Sequence, residues 1–228
     1  MSNKITWLSV IGLVAIVGAG AAAWYFGLLG GEEKRLLARI SDRQDLVQIF
    51  EKAVAGEKAI QKNSAKAELY LETGLDWKTI AELSGHEDFF KKSLAIYEKG
   101  IEKFGSKNIL FYLNGGKLAE RLGDYDKAER YFVTAIEISP GDDHGYLALL
   151  DLYSYKMNKS EEDVLAMLAQ GEKTLVSNSS IISARASYLR RIGDYGNALK
   201  DYKILVVRFP DNSGYKTIVS ELENLLGQ

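Results

Sequence analysis

The spacing of apolar side chains divides the chain into two regions. From Ile5 to Leu29 the sequence is almost continuously apolar, and no charged side chain occurs between Lys4 and Glu32. Beyond Glu32, apolar residues recur every three or four positions, which is the spacing of amphipathic helices. The chain of 228 residues contains only two prolines, which favours helices throughout. The pattern predicts an all-α protein with one very apolar N-terminal segment.

The apolar segment at 5–29 has the length of a membrane-spanning helix. Its 25 residues would form a helix of about 37 Å, whereas the hydrocarbon core of a bilayer is about 30 Å thick. Aromatic residues near both ends, Trp7 and Trp24, suit the two membrane interfaces. We therefore expect a short tail at 1–4 and a single transmembrane helix at 5–29.

Two other interpretations of this segment are less favoured. A cleaved signal peptide could end at Ala19-Gly20-Ala21, but the apolar run continues past that site to Leu29. The spacing Gly18-x-Gly20-x-x-Ala23 resembles a dinucleotide-binding turn, but no second strand follows it.

Small residues on one face of the predicted span leave two roles open. Ala15, Ala19 and Ala23 lie four residues apart, so a homo-oligomer could form through close contact of two spans; alternatively, these residues only fill a single helix. The balance of Lys and Arg around the span favours a cytoplasmic C-terminal side. A four-residue tail with one lysine is nevertheless easily retained inside, and we expect the downstream domain on the extracytoplasmic side.

Two stretches of the second region share one pattern. Arg121 to Pro140 reads RLGDYDKAERYFVTAIEISP, and Arg191 to Pro210, 70 residues further on, reads RIGDYGNALKDYKILVVRFP. In both, Gly-Asp-Tyr precedes an alanine, an aromatic residue four positions on, and a proline eight positions after that. Gly-Asp suits a tight turn between antiparallel helices, alanine permits close packing, and proline ends the second helix.

This pattern resembles the tetratricopeptide repeat (TPR), a helix-turn-helix unit of about 34 residues. In that register, units lie at 109–142 and 179–212, and a third at 143–178 has a turn longer by two residues. Ser160 and Asp163 have the spacing of a capping box for its second helix. The resemblance covers about 140 of the 228 residues and implies an α-solenoid of antiparallel helix pairs, the TPR superhelix.

The flanking segments complete the predicted architecture. A degenerate TPR-like hairpin is expected at 71–108, with a turn starting at Gly85. Segment 30–70 is predicted to hold a linker and amphipathic helices. The apolar stripe at 213–228 predicts a C-terminal capping helix for the array; its members are Tyr215, Ile218, Leu222, Leu225 and Leu226.

Composition argues against catalysis, cofactors and nucleic acid. The sum of Lys and Arg is 29 and that of Asp and Glu is 31, so no strong positive field attracts a phosphate backbone. Cysteine is absent, which excludes disulfides and thiolate metal sites. Neither of the two histidines, His86 and His144, has a second histidine at metal-ligand spacing. An ordinary surface role explains the carboxylates near them. No hydrolase, P-loop or zinc-protease motif occurs, so we expect no enzyme, cofactor or metal site.

The resemblance also implies where a partner would bind. TPR arrays bind a peptide or helix in a concave groove lined by the first helix of each hairpin. Leu113 and Ala184 occupy two positions at which the family's carboxylate clamp needs polar residues, so that specificity is not expected. The candidate groove residues carried onto this chain are Asn114, Lys117, Arg121, Asp151, Tyr155, Ser187, Arg190 and Arg191; each could instead be an ordinary solvated residue.

Three functional hypotheses follow. The favoured one is a membrane-anchored TPR adaptor or scaffold that mediates protein-protein interactions in a cell-envelope assembly. The first alternative is a translocon-associated, chaperone-like periplasmic TPR protein that binds exported chains. The second is a self-assembling structural oligomer.

Overall fold

A computed structural model describes residues 29–62, 65–175 and 178–227. This part of the chain contains eleven α-helices and no strand, so the all-α prediction is confirmed. The helices are α1 (Gly31–Ala38), α2 (Gln44–Gln61), α3 (Ala67–Ser84), α4 (Glu87–Phe104), α5 (Leu110–Arg121), α6 (Tyr125–Ile138), α7 (His144–Leu152), α8 (Glu161–Thr174), α9 (Ser179–Ile192), α10 (Tyr195–Arg208) and α11 (Ser213–Leu226).

Successive helices pack as hairpins, so the array is built from local contacts. The pairs are α3 with α4, α5 with α6, α7 with α8, and α9 with α10, and α11 packs on α10. A short 3-10 helix, Gly105–Lys107, joins α4 to α5. The last turn of α7 continues as a π-helix, Tyr153–Met157.

The hairpins α5–α6 and α9–α10 have the tight turns that their Gly-Asp pairs predict. Gly123 and Gly193 have φ of 82° and 87°, a left-handed conformation that only glycine adopts without strain. The next residue, Asp124 or Asp194, caps the following helix by accepting a hydrogen bond from the amide three residues on, at 3.1 and 3.2 Å. The second helices end at Ile138 and Arg208, two residues before each proline.

Small residues allow the two helices of a tight hairpin to lie close together. Ala128 of α6 is fully buried, and so is Phe132 one turn later. A Cβ added to Gly116 of α5 would lie 2.4 Å from the Phe132 ring, so the ring packs directly against helix backbone. Ala198 and Tyr202 are the buried equivalents in α10.

The turn between α7 and α8 is longer and irregular. Asn158 follows the π-helix with φ of 50°, the only non-glycine residue with positive φ in the described part of the chain. Ser160 then caps α8 by accepting a hydrogen bond from the Asp163 amide at 3.1 Å. Its hydroxyl also donates to the Asp163 carboxylate at 2.7 Å, so the predicted pair does meet at the helix start.

A partly buried ion-pair network connects α8 to the last hairpin. Arg185 of α9 donates two hydrogen bonds, of 2.7 and 2.8 Å, to the two carboxylate oxygens of Asp201 on α10, and also pairs with Glu172 of α8. Asp201 is only 4% exposed. Its partners raise the pKa of Arg185: the hydrogen bond to Asp201 is the largest cause, and burial opposes it.

The segment predicted as a linker with amphipathic helices contributes to the largest core cluster. Leu36, Phe50 and Leu46 are buried there, and Phe50 meets Trp77 of α3 edge to face at 5.3 Å. Two ion pairs also join α1 and its C-terminal end to α4, Glu32 with Lys92 at 3.2 Å and Arg39 with Asp88 at 3.0 Å. The array therefore begins at α1.

The C-terminal helix α11 covers part of the last hairpin. Leu222 is fully buried, and Tyr215, Ile218 and Val219 pack against the same cluster as Tyr202. Leu225, by contrast, is 65% exposed, so the predicted apolar stripe is only partly buried.

The predicted span at 5–29 lies outside the described residues except for its last member. Leu29 is 4% exposed and belongs to the protein core. In the part of the chain from 29 onward that the structure describes, no helix combines the length and apolarity required to cross a bilayer. Ala15, Ala19 and Ala23 also fall outside that part.

Candidate partner-binding groove

The eight candidate groove residues lie on the first helices of three successive hairpins. Helix α5 carries three of them, α7 with its π-helical end carries two, and α9 carries three. All except the half-buried Asn114 are exposed. In the order α5, α7 and α9 they are Asn114, Lys117, Arg121; Asp151, Tyr155; and Ser187, Arg190, Arg191.

Four of these residues line one groove between α7 and α9. Its cavity measures about 270 Å³. Both walls are stripes with helical spacing, since lining residues recur three or four positions apart on each helix. The α7–α9 groove is lined by Leu147, Leu150, Asp151, Ser154 and Tyr155 on one wall and by Ala184, Ser187, Tyr188 and Arg191 on the other.

Two tyrosines position the Arg191 side chain in this groove. The guanidinium lies over the rings of Tyr155 and Tyr188, 4.9 Å from each centroid. Tyr188 is buried, whereas Tyr155 is 62% exposed. Burial is the main cause that raises the pKa of Tyr188; the charge of Glu161 acts in the same direction and that of Arg191 opposes it. Arg191 thus bridges the two walls through contacts with its ring partners.

Arg191 forms no ion pair with any residue that the structure describes. A guanidinium that stacks on aromatic rings keeps its N–H edge free for planar acceptors such as carboxylates. Two hydroxyl groups lie nearby on the groove walls. The Ser187 hydroxyl is 3.2 Å from the Tyr202 hydroxyl, and the buried Ser154 Oγ has no hydrogen-bond partner. The groove therefore combines apolar walls with a cation that has no ion-pair partner among the described residues.

Two of the other candidate cations, Lys117 and Arg190, have carboxylate partners. Lys117 lies 3.3 Å from Glu120 and 3.6 Å from Asp151, which links α5 to α7. Arg190 pairs with Glu221 of α11 at 3.1 Å. These contacts neutralise the charges and join adjacent helices.

The remaining two candidates of α5 lie outside the α7–α9 groove. Asn114 donates a 2.9 Å hydrogen bond to the Leu110 carbonyl of its own helix. Arg121 has its guanidinium 5.3 Å from the Phe90 ring centroid. The structure therefore unites Asp151, Tyr155, Ser187 and Arg191 in one cavity and does not bring the other four candidates into it.

A second cavity, of about 400 Å³, involves α6, α7 and α8. Its apolar wall includes Ile136 and Met167. On its polar side, Tyr153 donates a 2.8 Å hydrogen bond to Glu129, and Lys159 pairs with the same carboxylate at 3.2 Å. Burial is the largest cause that raises the pKa of Tyr153, and the hydrogen bond to Glu129 adds to it. This polar cluster is internally satisfied.

His144 has two carboxylates close to it at the start of α7. Its Nδ1 is 2.8 Å from Asp142 and 3.4 Å from Asp143. Asp142 also accepts a 2.9 Å hydrogen bond from the His144 amide, and Asn178 donates to Asp143 at 3.2 Å. These bonds belong to the helix start and to its contact with the next repeat, so they account for the cluster without a metal.

Sequence reasoning missed five groove residues that the structure supplies. Tyr188 follows Ser187 directly, and Ala184 was noted only as a departure from the carboxylate clamp. A search for i, i+3, i+4 and i+7 spacing around Asp151 and Arg191 would have found all of them except Leu150, which is adjacent to Asp151. The missed residues are Leu147, Leu150, Ser154, Ala184 and Tyr188.

Three solved structures share this architecture. YrrB, a TPR protein with an unusual peptide-binding site, matches with a TM-score of 0.52 and 16% identity, over 77% of this chain and 85% of its own. A TPR protein from Parabacteroides merdae matches with 0.56 and 17%, over 87% and 75% of the two chains. TTC0263, a thermophilic TPR protein of Thermus thermophilus, gives 0.52 and 14%, over 83% and 98%.

No family model matches the sequence, and no curated protein matches it. Because the three solved structures are only 14 to 17% identical to this chain, their likeness shows the fold alone. The chain has the fold of tetratricopeptide repeat proteins, and the predicted α-solenoid is confirmed.

Proposed function

We propose that this protein is a non-enzymatic TPR-like adaptor that holds a segment of a partner protein in the α7–α9 groove. The observation that carries the proposal is the contact across one cavity between an exposed aromatic residue, Tyr155, and Arg191, which has no ion-pair partner in the described part of the chain. Tyrosine and arginine are enriched among the residues that dominate protein-protein binding energies. YrrB, which shares the fold, is described by its peptide-binding site, and this supports the same use of the array here.

Membrane attachment is the second part of the proposal and rests on the sequence. The uncharged run from Ile5 is long enough to span a bilayer, and the array begins almost directly after it. We place the array on the extracytoplasmic side, as a scaffold in a cell-envelope assembly. Because Leu29 is buried in the protein core, the span would end before it.

Site-specific photo-cross-linking in native membranes tests the groove. A photoreactive amino acid replaces Ser187 in the full chain, and a control variant carries it at Arg130, an exposed residue of α6. We expect one stoichiometric partner to cross-link from position 187 and not from position 130. Equal labelling from both positions would contradict a groove-bound partner.

The same experiment separates the adaptor from the two alternatives. Many substoichiometric unfolded clients would support the chaperone-like function, and adducts between copies of this chain would support self-assembly. The mass of the full chain in detergent, compared between wild type and an Ala15→Leu/Ala19→Leu variant, tests whether the small-residue face holds an oligomer. A monomer in wild type would reject that interface.

Protease accessibility tests the membrane topology. The outer layers of the cells are made permeable to protease while the inner membrane stays closed. On the proposed orientation, added protease then cleaves the array and spares a cytoplasmic control protein. Cleavage of the array only after the inner membrane is opened would reverse the orientation. Recovery of the full chain in the membrane-free fraction of the cell extract would contradict the proposed anchor.

A further inference from the structure

We propose that the α7–α9 groove recognises an internal peptide segment in which an acidic side chain lies close to an apolar one. The inference rests on the proposed function, since it names the chemistry of the partner segment that this groove accepts. The acidic side chain would pair with Arg191, and the apolar side chain would lie against Leu147, Leu150 and Ala184.

Charge complementarity is the first argument. The groove contains two charged residues, and the negative one, Asp151, already faces Lys117 at 3.6 Å. Arg191 is without a carboxylate partner among the described residues. A ligand that supplies a carboxylate satisfies this cation, whereas a basic ligand meets an uncompensated like charge.

Preorganisation is the second argument. Arginine ordinarily loses considerable side-chain freedom when it binds a carboxylate, which opposes binding. The Arg191 guanidinium already lies 4.9 Å from the ring centroids of both Tyr155 and Tyr188, so less of that freedom remains to be lost. The stacked arrangement also leaves the edge of the guanidinium for a bidentate contact.

The shape of the walls favours an internal segment over a chain terminus. The half-buried Leu147, Leu150 and Ala184 surround the cavity with apolar surface. A cavity of about 270 Å³ accommodates a large apolar side chain but not a whole helix. A free C-terminal carboxylate would need several converging donors, and among the residues that the structure describes Arg191 is the only cationic side chain that lines this cavity.

Short peptides with blocked ends test the inference on the full-length protein in detergent. Matched fluorescent libraries carry glutamate, glutamine or lysine at one fixed position beside a leucine, with the other positions randomised. Fluorescence anisotropy measures binding. We expect the best glutamate peptides to bind about tenfold more tightly than their glutamine counterparts, as one charge-assisted hydrogen bond predicts.

Neighbouring arginines provide a matched pair of variants. Arg191→Gln should remove the preference for glutamate, whereas Arg190→Gln should retain it, because Arg190 is already paired with Glu221. Arg191→Glu should reverse the preference toward lysine. Ala184→Leu should weaken the leucine-containing peptides by filling the apolar part of the groove. Far-ultraviolet circular dichroism confirms that each variant keeps its helices.

Several results would overturn the inference. Equal affinity for glutamate and glutamine peptides, equal effects of the two arginine variants, or binding only of peptides with a free C-terminus would each do so. Failure of every library to bind would also reject it. The cross-linking experiment from position 187 is independent of peptide chemistry, so a partner captured there would sustain the proposed function even when the acidic-peptide inference fails.

Discussion

Two neighbouring hairpins of this array, α5–α6 and α7–α8, differ in their turns and in the contacts that hold their helices together. In α5–α6, Gly123 makes a tight turn and the Phe132 ring lies against the backbone of Gly116. In α7–α8, a π-helix and Asn158 lengthen the turn. The first hairpin is held together by close apolar packing. In the second, Glu172 of α8 pairs with Arg185 of the next hairpin, which also pairs with Asp201.

The difference shows where an irregular repeat leaves cavities in the array. The cavities of about 400 and 270 Å³ both include residues of α7 or its π-helical end. π-helical turns are rare and occur often at functional sites. The tight hairpins therefore pack closely within themselves, while the long-turn hairpin contributes a wall to each of the two cavities.

Removal of the ring that closes the tight hairpin should have the largest effect on stability. Phe132→Ala should lower the free energy of unfolding by about 3 to 5 kcal/mol, because Phe132 is fully buried and the cavity cannot collapse easily. Urea denaturation of the full chain measures the loss. Phe209→Ala is the matched control, since that ring is 44% exposed. An equal effect of both substitutions would contradict the assigned role of close packing.

Loss of the ion-pair network should affect the long-turn hairpin next most strongly. Arg185→Met should cost about 3 kcal/mol, because the Asp201 carboxylate remains buried without its partner. Arg190→Met removes an exposed pair and should cost less than about 1 kcal/mol. Comparison of their denaturation midpoints checks the prediction. A stable Arg185→Met variant would show that apolar contacts alone hold α8.

Substitution of the turn glycines should have a moderate effect confined to the tight hairpins. Gly193→Ala should cost about 1 to 2 kcal/mol, since its φ of 87° is unfavourable for alanine although no atom blocks the new Cβ. Gly196→Ala provides the opposite case. It lies in α10 with open space around it, and alanine should stabilise that helix by about 0.5 to 1 kcal/mol. Thermal unfolding of the two variants should shift in opposite directions.

The long turn should respond least, and the sign of its response should depend on the new side chain. Asn158→Gly should stabilise the protein by less than about 1 kcal/mol, because glycine adopts the positive φ of this position with less strain. Asn158→Ala should destabilise it by a comparable amount. Calorimetry distinguishes the two. Identical shifts would indicate that the Asn158 side chain, rather than its backbone, determines the turn.

The regular part of the fold could be predicted because its determinants are local. Gly123, Ala128 and Phe132 carry their structural roles in residue type and spacing, and the same spacing recurs 70 residues later. Turn formation and helix ends depend on neighbouring residues, which a single sequence displays.

The groove and the network depend on contacts between repeats, which the sequence alone does not display. Arg191 was expected in a groove, but its contact with Tyr155 depends on how two hairpins stack. Arg185 was not singled out, since its partners Glu172 and Asp201 lie 13 and 16 residues away on other helices. The π-helix likewise has no clear signature beyond the longer turn of its repeat.

The attachment of α1 to the array has a consequence for the range of partners. Leu29 is buried, and Glu32 and Arg39 pair with residues of α4, so the chain leaves the array from a fixed point. On the proposed membrane attachment, the groove would not sweep the large volume that a flexible tether permits. A partner of the groove would then have to come close to the membrane surface, so its location would restrict binding as well as its side chains.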